Sequence, residues 1–414
     1  MKTGYKQTEV GVIPEEWDSS HLGEVFEFKN GLNKAKEFFG HGTPIVNYMD
    51  VFEKCGLLSC DLQGRVSLSK EEVKRFDVRK GDVFFTRTSE TAAEVGMTSV
   101  MLDAPEDTVF SGFILRARPK NDSLDNQFKK YCFSTRAVRR QIISQSTETT
   151  RALTNGRYLS AIAIARPPLP EQRAIAEALS DVDALLGALD QLIAKKRDLK
   201  QATMQQLLTG QTRLPGFHGE WEIKKLGEVA TFYKGKGLPK SALDPYGAEP
   251  CIHYGELFTR YPETIREIIS RTDNADGTFR SVANDVLMPT SDVTPRGLAK
   301  ASCVNIDGVI LGGDILVIRS DTKLILGTFL SYVIRFEENQ VLQLVTGSTV
   351  FHLYGTDMKK FTFSMPTLPE QTAIAEVLSE MDTEIAALEQ RLAKTRDLKQ
   401  GMMQELLTGK TRLV

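Results

Sequence analysis

The sequence contains very little of the chemistry that enzymes require. No G-x-x-x-x-G-K-[ST] loop is present for a nucleoside triphosphate, and no G-x-G-x-x-G opens a helix. The Asn-Pro-Pro-aromatic and Asp-Pro-Pro-aromatic motifs of amino-group DNA methyltransferases are also missing, because the only Pro-Pro pair lies in RPPLP at 166–170. These absences predict a chain without catalytic activity of its own. An enzyme whose catalytic motif has diverged beyond recognition is the alternative.

Metal ligands, long apolar runs and net positive charge are scarce as well. The five cysteines include no Cys-x-x-Cys and the five histidines no i, i+4 pair, so we expect free thiols and no metal site. The longest apolar stretch, VILGGDILVI at 309–318, is too short for a membrane span, and the N-terminus is polar, which predicts a cytoplasmic protein. A formal net charge of −2 excludes a uniformly basic nucleic-acid binder, so any DNA contact must come from local patches.

What the sequence does contain is a long internal repeat. LPEQRAIAEALS at 169–180 returns as LPEQTAIAEVLS at 368–379, and the match continues without a gap to Leu214 and Leu413. About two-thirds of the positions in this stretch are identical. Fainter matches precede it, pairing 22–25 with 226–229, 44–52 with 250–258, 81–90 with 284–292, and 111–116 with 312–317. A period of roughly 200 residues indicates duplicated domains rather than a solenoid.

Each copy of the strong repeat is predicted to be a long helix. Pro170 and Pro369 stand in the first turn, and Gly210 and Gly409 follow the last apolar residues as candidate helix ends. Apolar residues recur between them in alternating steps of four and three, the pattern of a coiled-coil seam. The predicted helix-pairing residues are Ile175, Leu179, Val182, Leu186, Leu189 and Ile193 in the first copy, and Ile374, Leu378, Met381, Ile385, Leu388 and Leu392 in the second.

The distribution of charge predicts how the two helices pair. The first part of each copy is acidic and the later part is basic, as in Asp181 and Lys200 or Asp382 and Lys399. Acidic and basic parts face each other only in an antiparallel pair, which would generate an approximate twofold axis. Two independent surface helices are the alternative, although a surface helix requires only a pattern and not a repeated sequence.

The segments before the two helices, 1–168 and 213–367, mix short β-like runs with helical segments and loops rich in Gly and Pro. We therefore predict an α+β fold in which two similar globular domains alternate with two long helices at 169–212 and 368–414. The helices are predicted to pair as an antiparallel coiled coil with internal pseudo-twofold symmetry. Because the helices are nearly identical and the domains only weakly similar, the helices should perform one task twice and the domains related but different tasks.

Clusters of basic and polar residues in both domains are candidates for DNA contact, because Arg dominates phosphate and guanine contacts. The stretch 127–143 is predicted to form one helix that carries Lys129, Arg136, Arg139 and Arg140, with a solvated basic helix as the nearly equal alternative. The other candidates in the first domain are Arg87, Thr88, Ser89, Arg151, Asn155, Arg157 and Tyr158. Those in the second are Lys234, Lys236, Lys240, Thr290, Ser291, Arg296, Lys300, Ser348, Thr349, His352 and Tyr354. Any single one could be plain surface, but recurrence at matching positions favours the loops.

Several motifs together resemble the DNA-specificity subunit of type I restriction–modification systems. They are TEVGVIPEEW at 8–17, the two LGEV segments, and LPEQRAIAEALSDVD at 169–183 and LPEQTAIAEVLSEMD at 368–382, each leading to RDLKQ and LLTG. The resemblance covers essentially the whole chain. It implies two variable target-recognition domains, each reading one half of a split asymmetric DNA site, held apart by two conserved helices.

The same resemblance implies the partners of the chain. Double-stranded DNA would bind the recognition domains, two methyltransferase subunits would dock on the helices, and endonuclease/translocase subunits would join the complex. S-adenosylmethionine, ATP and Mg would be bound by those partner subunits and not by this chain. Because recognition domains vary within the family, the resemblance assigns no base-contacting residue. A coiled-coil scaffold that joins two protein-binding domains without DNA specificity is the competing hypothesis.

Overall fold

A computed structural model describes residues 4–148, 151–275 and 277–413 of the chain. Its contacts divide the chain into two compact units. Unit 1 combines Met1–Leu189 with Arg391–Val414, and unit 2 consists of Asp190–Gln390. Each unit therefore contains one globular domain together with the beginning of one repeated helix and the end of the other.

The two repeats form the two long helices that the sequence predicts, α1 at Leu169–Leu208 and α2 at Leu368–Leu406. Both are followed by a glycine in the left-handed conformation, Gly210 with φ +70° and Gly409 with φ +69°. Glycine is favoured there because it has no Cβ to clash in that conformation.

Within each unit the helices run in opposite directions, which confirms the predicted antiparallel pairing. In unit 2, Lys196 lies 2.7 Å from Glu384, and further along α1 Lys200 lies 2.5 Å from the earlier residue Asp382. The predicted seam faces inward on both helices. Buried positions are Ile175, Leu179, Leu189, Ile193, Ile374, Leu378, Ile385 and Leu392. Half-buried positions are Val182, Leu186, Met381 and Leu388.

In unit 1, a buried carboxylate joins the start of α1 to the segment that follows α2. Glu171 has no exposed surface, and it accepts hydrogen bonds from the Trp17 indole at 2.8 Å and from Arg412 Nη2 at 2.9 Å. Arg412 also pairs with Glu16 at 2.8 Å. A buried carboxylate is stable only when it is paired and hydrogen-bonded, so Trp17 and Arg412 make the burial of this helix start possible.

Unit 2 contains the same arrangement with the two repeats exchanged. Glu370 at the start of α2 is 1% exposed, and it accepts from the Trp221 indole at 3.2 Å and from Arg213 Nη2 at 2.6 Å. Arg213 belongs to the TRL sequence after α1, as Arg412 belongs to the TRL sequence after α2. The strong repeat therefore extends past the helices because its last residues bind the beginning of the other copy.

A buried tyrosine in each domain contacts both helices. In unit 1 the Tyr131 hydroxyl donates to Asp183 of α1 at 2.7 Å, and Asp183 pairs with Lys399 of α2. Burial raises the pKa of Tyr131, so the phenol remains protonated and continues to donate. Unit 2 repeats the arrangement with Tyr332, Asp382 and Lys200.

The two globular domains share one sheet topology, which confirms the predicted α+β fold with two similar domains. The main sheet of unit 1 has the strand order Phe26–Asn30, Ile114–Pro119, Val83–Thr86, Thr98–Met101 and Gly56–Leu57. That of unit 2 has the order Ala230–Lys234, Ile315–Ser320, Asp285–Pro289, Ser302–Val304 and Thr264–Ile265. In both sheets the first four strands are antiparallel and the last pair is parallel.

Smaller sheets surround the main sheet of each unit. In unit 1 they consist of Val109–Phe110, Phe39–Val46 and Arg65–Val66; of Thr147–Glu148, Ala152–Leu153 and Thr88–Ser89; of Asp18–His21 with Ala163–Arg166; and of Tyr5–Thr8 with Gly11–Pro14. In unit 2 they consist of Ser270–Thr272, Glu249–Ile252, Ile310–Leu311 and Phe279–Arg280; of Thr346–Gly347, Phe351–His352 and Ser291–Asp292; and of Glu222–Lys225 with Thr362–Met365.

Short helices connect the strands. The α-helices of unit 1 are Leu22–Val25, Tyr48–Glu53, Lys70–Arg75, Lys129–Cys132, Arg136–Gln145 and Gly156–Ser160. Those of unit 2 are Leu226–Val229, Glu256–Thr259, Gly327–Phe336, Glu338–Leu344 and Gly355–Met358. Short 3-10 helices occur at Lys36–Phe38, Ser59–Asp61, Lys240–Ala242 and Pro295–Ala299.

The prediction of a single basic helix over 127–143 is wrong. The segment forms two helices, Lys129–Cys132 and Arg136–Gln145, because the Thr135 side chain caps the second helix by accepting from the Val138 amide at 3.3 Å. Lys129 therefore does not share one helix face with Arg136 and Arg140, as the single helix would have required, whereas Arg136, Arg139 and Arg140 do lie on one helix.

No helix within residues 4–148, 151–275 and 277–413 is long and apolar enough to cross a membrane. In the same part of the chain, no group of three or more His, Cys, Asp and Glu side chains could hold a metal ion.

We expect the substitution Arg412→Ala to destabilise unit 1 by about 3 kcal/mol, because it leaves the buried Glu171 carboxylate without its cation. Arg197→Ala is the matched control, since Arg197 pairs with Glu389 at an exposed position and should contribute less than about 1 kcal/mol. Urea unfolding would measure both. Equal losses of unfolding free energy would contradict the role assigned to Glu171.

Candidate nucleic-acid interface

The loop after the central strand of each main sheet is held by the same backbone hydrogen bonds in both units. In unit 1 the Arg87 amide donates to the Phe113 carbonyl at 3.0 Å, and the Thr154 amide donates to the Arg87 carbonyl at 3.0 Å. In unit 2 the Thr290 amide donates to Asp314 at 2.9 Å, and the Leu353 amide donates to Thr290 at 3.0 Å. Arg87 and Thr290 therefore occupy equivalent positions in one shared backbone framework.

A short helix follows this framework and packs against the edge strand of the main sheet. Asn155 precedes Gly156–Ser160, and its side-chain oxygen accepts from the Tyr158 amide at 3.0 Å. Tyr354 precedes Gly355–Met358 at the equivalent position, but makes no side-chain cap. Glycine at the first residue of each helix allows this close packing, because a Cβ on Gly156 would approach the Phe28 Cβ to 2.9 Å and one on Gly355 would approach the Phe232 Cβ to 3.0 Å.

In unit 1 these elements border a cleft with a volume of about 530 Å³, which we call the unit 1 cleft. Its polar lining residues are Glu27, Lys29, Asn30, Arg87, Lys120, Asn155, Arg157 and Ser160. Three of the predicted residues, Arg87, Asn155 and Arg157, are thus brought together. Guanidinium and amide groups can each form two hydrogen bonds to a base edge, guanidinium with guanine and amide with adenine.

Unit 2 has a concave surface of about 550 Å³ at the equivalent place, the unit 2 cleft. Its polar lining residues are Tyr233, Lys234, Thr290, Asp314, His352, Tyr354, Thr356 and Lys359. The predicted residues Lys234, Thr290, His352 and Tyr354 meet here. Lys234 lies 3.2 Å from Asp314, and the His352 and Tyr354 rings are stacked with 6.1 Å between centroids. The same framework therefore carries different chemistry in the two units.

A second concavity of unit 1, of about 400 Å³, holds three further predicted residues, Thr88, Ser89 and Arg151. Ser89 is buried and donates to Glu94 at 3.0 Å, so its hydroxyl is already engaged. The equivalent small sheet of unit 2 contains Ser291 at its edge and exposes Ser348 and Thr349 in the turn of its hairpin.

Two of the residues predicted to contact DNA, Lys129 and Arg139, form hydrogen bonds within the domain instead. Lys129 is only 3% exposed and donates to Asn126 at 2.8 Å, and burial lowers the pKa of its ammonium group. Arg139 donates to the carbonyls of Gly96 at 2.9 Å and Val95 at 2.7 Å, which ties its helix to that loop. The lysine lies inside the domain, and both terminal nitrogens of the arginine already donate to backbone oxygens, so both residues serve the structure of the domain itself.

The remaining predicted residues lie outside the two clefts. Arg136 and Arg140 line an apolar groove beside Met403 and Leu407 near the end of α2. Arg296 is exposed and pairs with Glu338 at 3.1 Å. Lys300 is half-buried, and burial lowers its pKa. Tyr158 is also half-buried. Lys236 is exposed in the loop after the edge strand, and Lys240 is exposed at the start of the 3-10 helix Lys240–Ala242.

Sequence reasoning missed several cleft residues, namely Lys29, Asn30, Lys120, Tyr233, Thr356 and Lys359. Three of them belong to matched pairs, since Lys29 and Asn30 end one edge strand as Tyr233 and the predicted Lys234 end the other. That correspondence could have been found by extending the faint repeat to the edge strands. It was too weak to detect because the two strands share few identities.

The family model for the type I restriction modification DNA specificity domain matches the chain twice, at residues 14–196 and 218–395. A putative type I restriction enzyme MjaX specificity subunit from Methanocaldococcus jannaschii is 23% identical, with 99% of this chain and 97% of the relative covered. The type I restriction enzyme MjaVIII specificity subunit of the same organism is 22% identical, with 97% and 94% covered.

Solved structures share the fold. The S subunit of a type I restriction–modification system from M. genitalium has a TM-score of 0.59 at 14% identity, covering 94% of this chain and 96% of that one. A chain from a study of complex assembly and conformational transition of the type I R-M system has a TM-score of 0.55 at 16% identity, covering 96% and 99%. Since the two family matches span most of the sequence, the chain belongs to the type I restriction modification DNA specificity family, as a specificity subunit with two copies of its domain.

Proposed function

We propose that this chain reads a bipartite, asymmetric double-stranded DNA site, with one half-site bound by each cleft. The observation that carries the proposal is the shared framework with different side chains. Arg87, Asn155 and Arg157 in unit 1 stand where Thr290, Tyr354 and Thr356 stand in unit 2. Two readers built alike but equipped differently would recognise two different short sequences.

The lysines around the clefts fit a backbone-positioning role. Lys120 borders the unit 1 cleft, and Lys234 and Lys359 border the unit 2 cleft. Phosphate contacts of this kind fix the register of a protein on DNA, whereas contacts to base edges carry the sequence preference. Such local clusters also reconcile DNA binding with a formal net charge of −2.

We further propose that the duplicated helices dock two methyltransferase subunits, and that endonuclease subunits join through them. The support is an exposed leucine in the RDLKQ sequence of both repeats, Leu199 with 51% and Leu398 with 59% of its surface accessible. Because the same exposed apolar side chain occurs on both helices, the chain offers two equivalent surfaces to which two copies of one partner could bind. S-adenosylmethionine, ATP and Mg would then belong to those partners, with this chain supplying specificity and no catalysis.

The first test is the methylome of the source organism with the gene present and deleted. A split motif with N6-methyladenine in both halves should disappear on deletion. In complexes carrying Arg87→Ala, preference at one position of one half-site should relax by about 1–3 kcal/mol, and Thr290→Ala, its structural counterpart, should alter only the other half-site. Variants that alter both half-sites, or neither, would contradict the assignment of one cleft to each.

Helix length should set the spacing between the half-sites. We expect removal of one heptad from each helix, residues 186–192 and 385–391, to shorten the spacing by about 10 Å, or close to three base pairs, because an α-helix rises 1.5 Å per residue. A heptad preserves the seam. The control replaces 186–192 with the sequence of 385–391 and keeps the length. If the complex with shortened helices still assembles and methylates motifs with unchanged spacing, helix length does not set the spacing between the half-sites.

Docking can be tested at the repeated leucines. Leu199→Asp and Leu398→Asp should each weaken capture of one methyltransferase subunit, and together should abolish co-purification, because a carboxylate is costly to bury in an apolar interface. Ile223→Asp serves as the control, since Ile223 is 78% exposed and lies away from the helices in sequence. Retention of two methyltransferase subunits by the double variant would exclude this surface.

A further inference from the structure

Two large apolar side chains are unusually exposed beside the unit 1 cleft. Phe113 has 63% and Met49 52% of its surface accessible. Both line the 400 Å³ concavity that contains Thr88 and Arg151. We call this pair the apolar tip.

The apolar tip is held in place by the surrounding structure. The Phe113 amide donates to the Ser111 hydroxyl at 3.3 Å, and the Phe113 carbonyl accepts from the Arg87 amide at 3.0 Å. Met49 lies in the short helix Tyr48–Glu53, where the Tyr48 and Phe52 rings stack with 5.8 Å between centroids. Two apolar groups are thus presented to solvent on fixed backbone, with no packing reason for their exposure.

Unit 2 lacks the apolar tip at the matching positions. The residue whose carbonyl accepts from the Thr290 amide, as Phe113 accepts from Arg87, is Asp314. The counterpart of Met49 is Gly255, because the amides of Asn47 and His253 are capped alike by Asp50 at 2.7 Å and Glu256 at 2.9 Å. The tip therefore distinguishes the two clefts and is not needed to build the domain.

The position of the tip identifies its occupant. Phe113 is joined directly to Arg87 of the unit 1 cleft, and the exposed Arg151 lines the same concavity, so the apolar surface adjoins the cleft for which we propose DNA reading. Glu90 and Glu94 also line it, and a carboxylate can accept from the cytosine amino group. In the major groove, the apolar group that a protein can contact is the C5 methyl of thymine.

We propose that Phe113 and Met49 read a thymine methyl group in the half-site bound by unit 1. The proposal rests on the proposed DNA-reading function of the clefts and adds a base and a chemical group to it. The half-site of unit 1 accordingly contains at least one thymine whose methyl group packs against the tip.

Deoxyuridine tests this directly, because it pairs as thymidine does and lacks only the methyl group. The probe is a duplex with the methylome-defined site, in which each thymine of each half-site is replaced singly by deoxyuridine. Binding is measured with the chain assembled with its methyltransferase. At one thymine of the unit 1 half-site we expect affinity to fall roughly fourfold, the factor that corresponds to one buried methyl-sized group.

The variant Phe113→Ala should bind the thymine duplex and the deoxyuridine duplex equally, while Phe113→Leu should retain part of the discrimination. The control is Leu58→Ala, since Leu58 of unit 1 is 42% exposed and lies outside the concavity. This variant should discriminate between the two duplexes as the wild type does. Deoxyuridine effects in the unit 2 half-site should be the same in all variants. Because Phe113 is exposed, these substitutions should not impair folding.

Each remaining outcome is decisive. If the wild-type complex binds its site specifically but no deoxyuridine in the unit 1 half-site matters, or that half-site contains no thymine, the methyl-reading role is wrong while the proposed function stands. If Phe113→Ala instead prevents assembly with the methyltransferase, the tip is a protein contact and the inference is overturned. If the wild-type complex shows no sequence preference at all, the proposed function itself has failed.

Discussion

Each unit of this protein depends on one buried carboxylate. Glu171 and Glu370 lie at the first turn of α1 and α2, where burying a charge without partners would cost several kcal/mol. An indole and a guanidinium remove that cost, and the guanidinium comes from the segment after the other repeat. The end of one copy is therefore required for the start of the other to be buried, which explains why the sequence repeats from LPEQ as far as TRL.

The residues that hold each domain on the helices are the same in both units, whereas the residues that line the clefts differ. Residues that join the domains to the helices occur in matched sets, such as Tyr131 with Asp183 and Tyr332 with Asp382. The side chains that line the clefts differ in chemistry. The position that Arg87 occupies in unit 1 is occupied by Thr290 in unit 2. A constant framework with different exposed side chains is what the proposed reading of two different half-sites would require.

The sequence predicted the helices, their antiparallel pairing and the α+β domains because these depend on patterns that repeat along the chain. It predicted the loop residues of the clefts only in part. Lys129 and Arg139 were assigned to DNA because they are basic and lie in a basic segment. Lys129 is buried beside Asn126, and Arg139 donates to loop carbonyls. The charge of a residue does not reveal whether its side chain is buried or already hydrogen-bonded.

The sequence by itself determined the duplication, the family motifs and the amphipathic periodicity that forms α1 and α2, since these are properties of residue order. Only the tertiary structure decided which polar side chains share a cleft, that Arg412 meets Glu171 across 241 residues, and that Phe113 stands exposed where unit 2 has Asp314. The physical reason is that burial and long-range hydrogen bonding depend on contacts between residues distant in the chain, which no local pattern encodes.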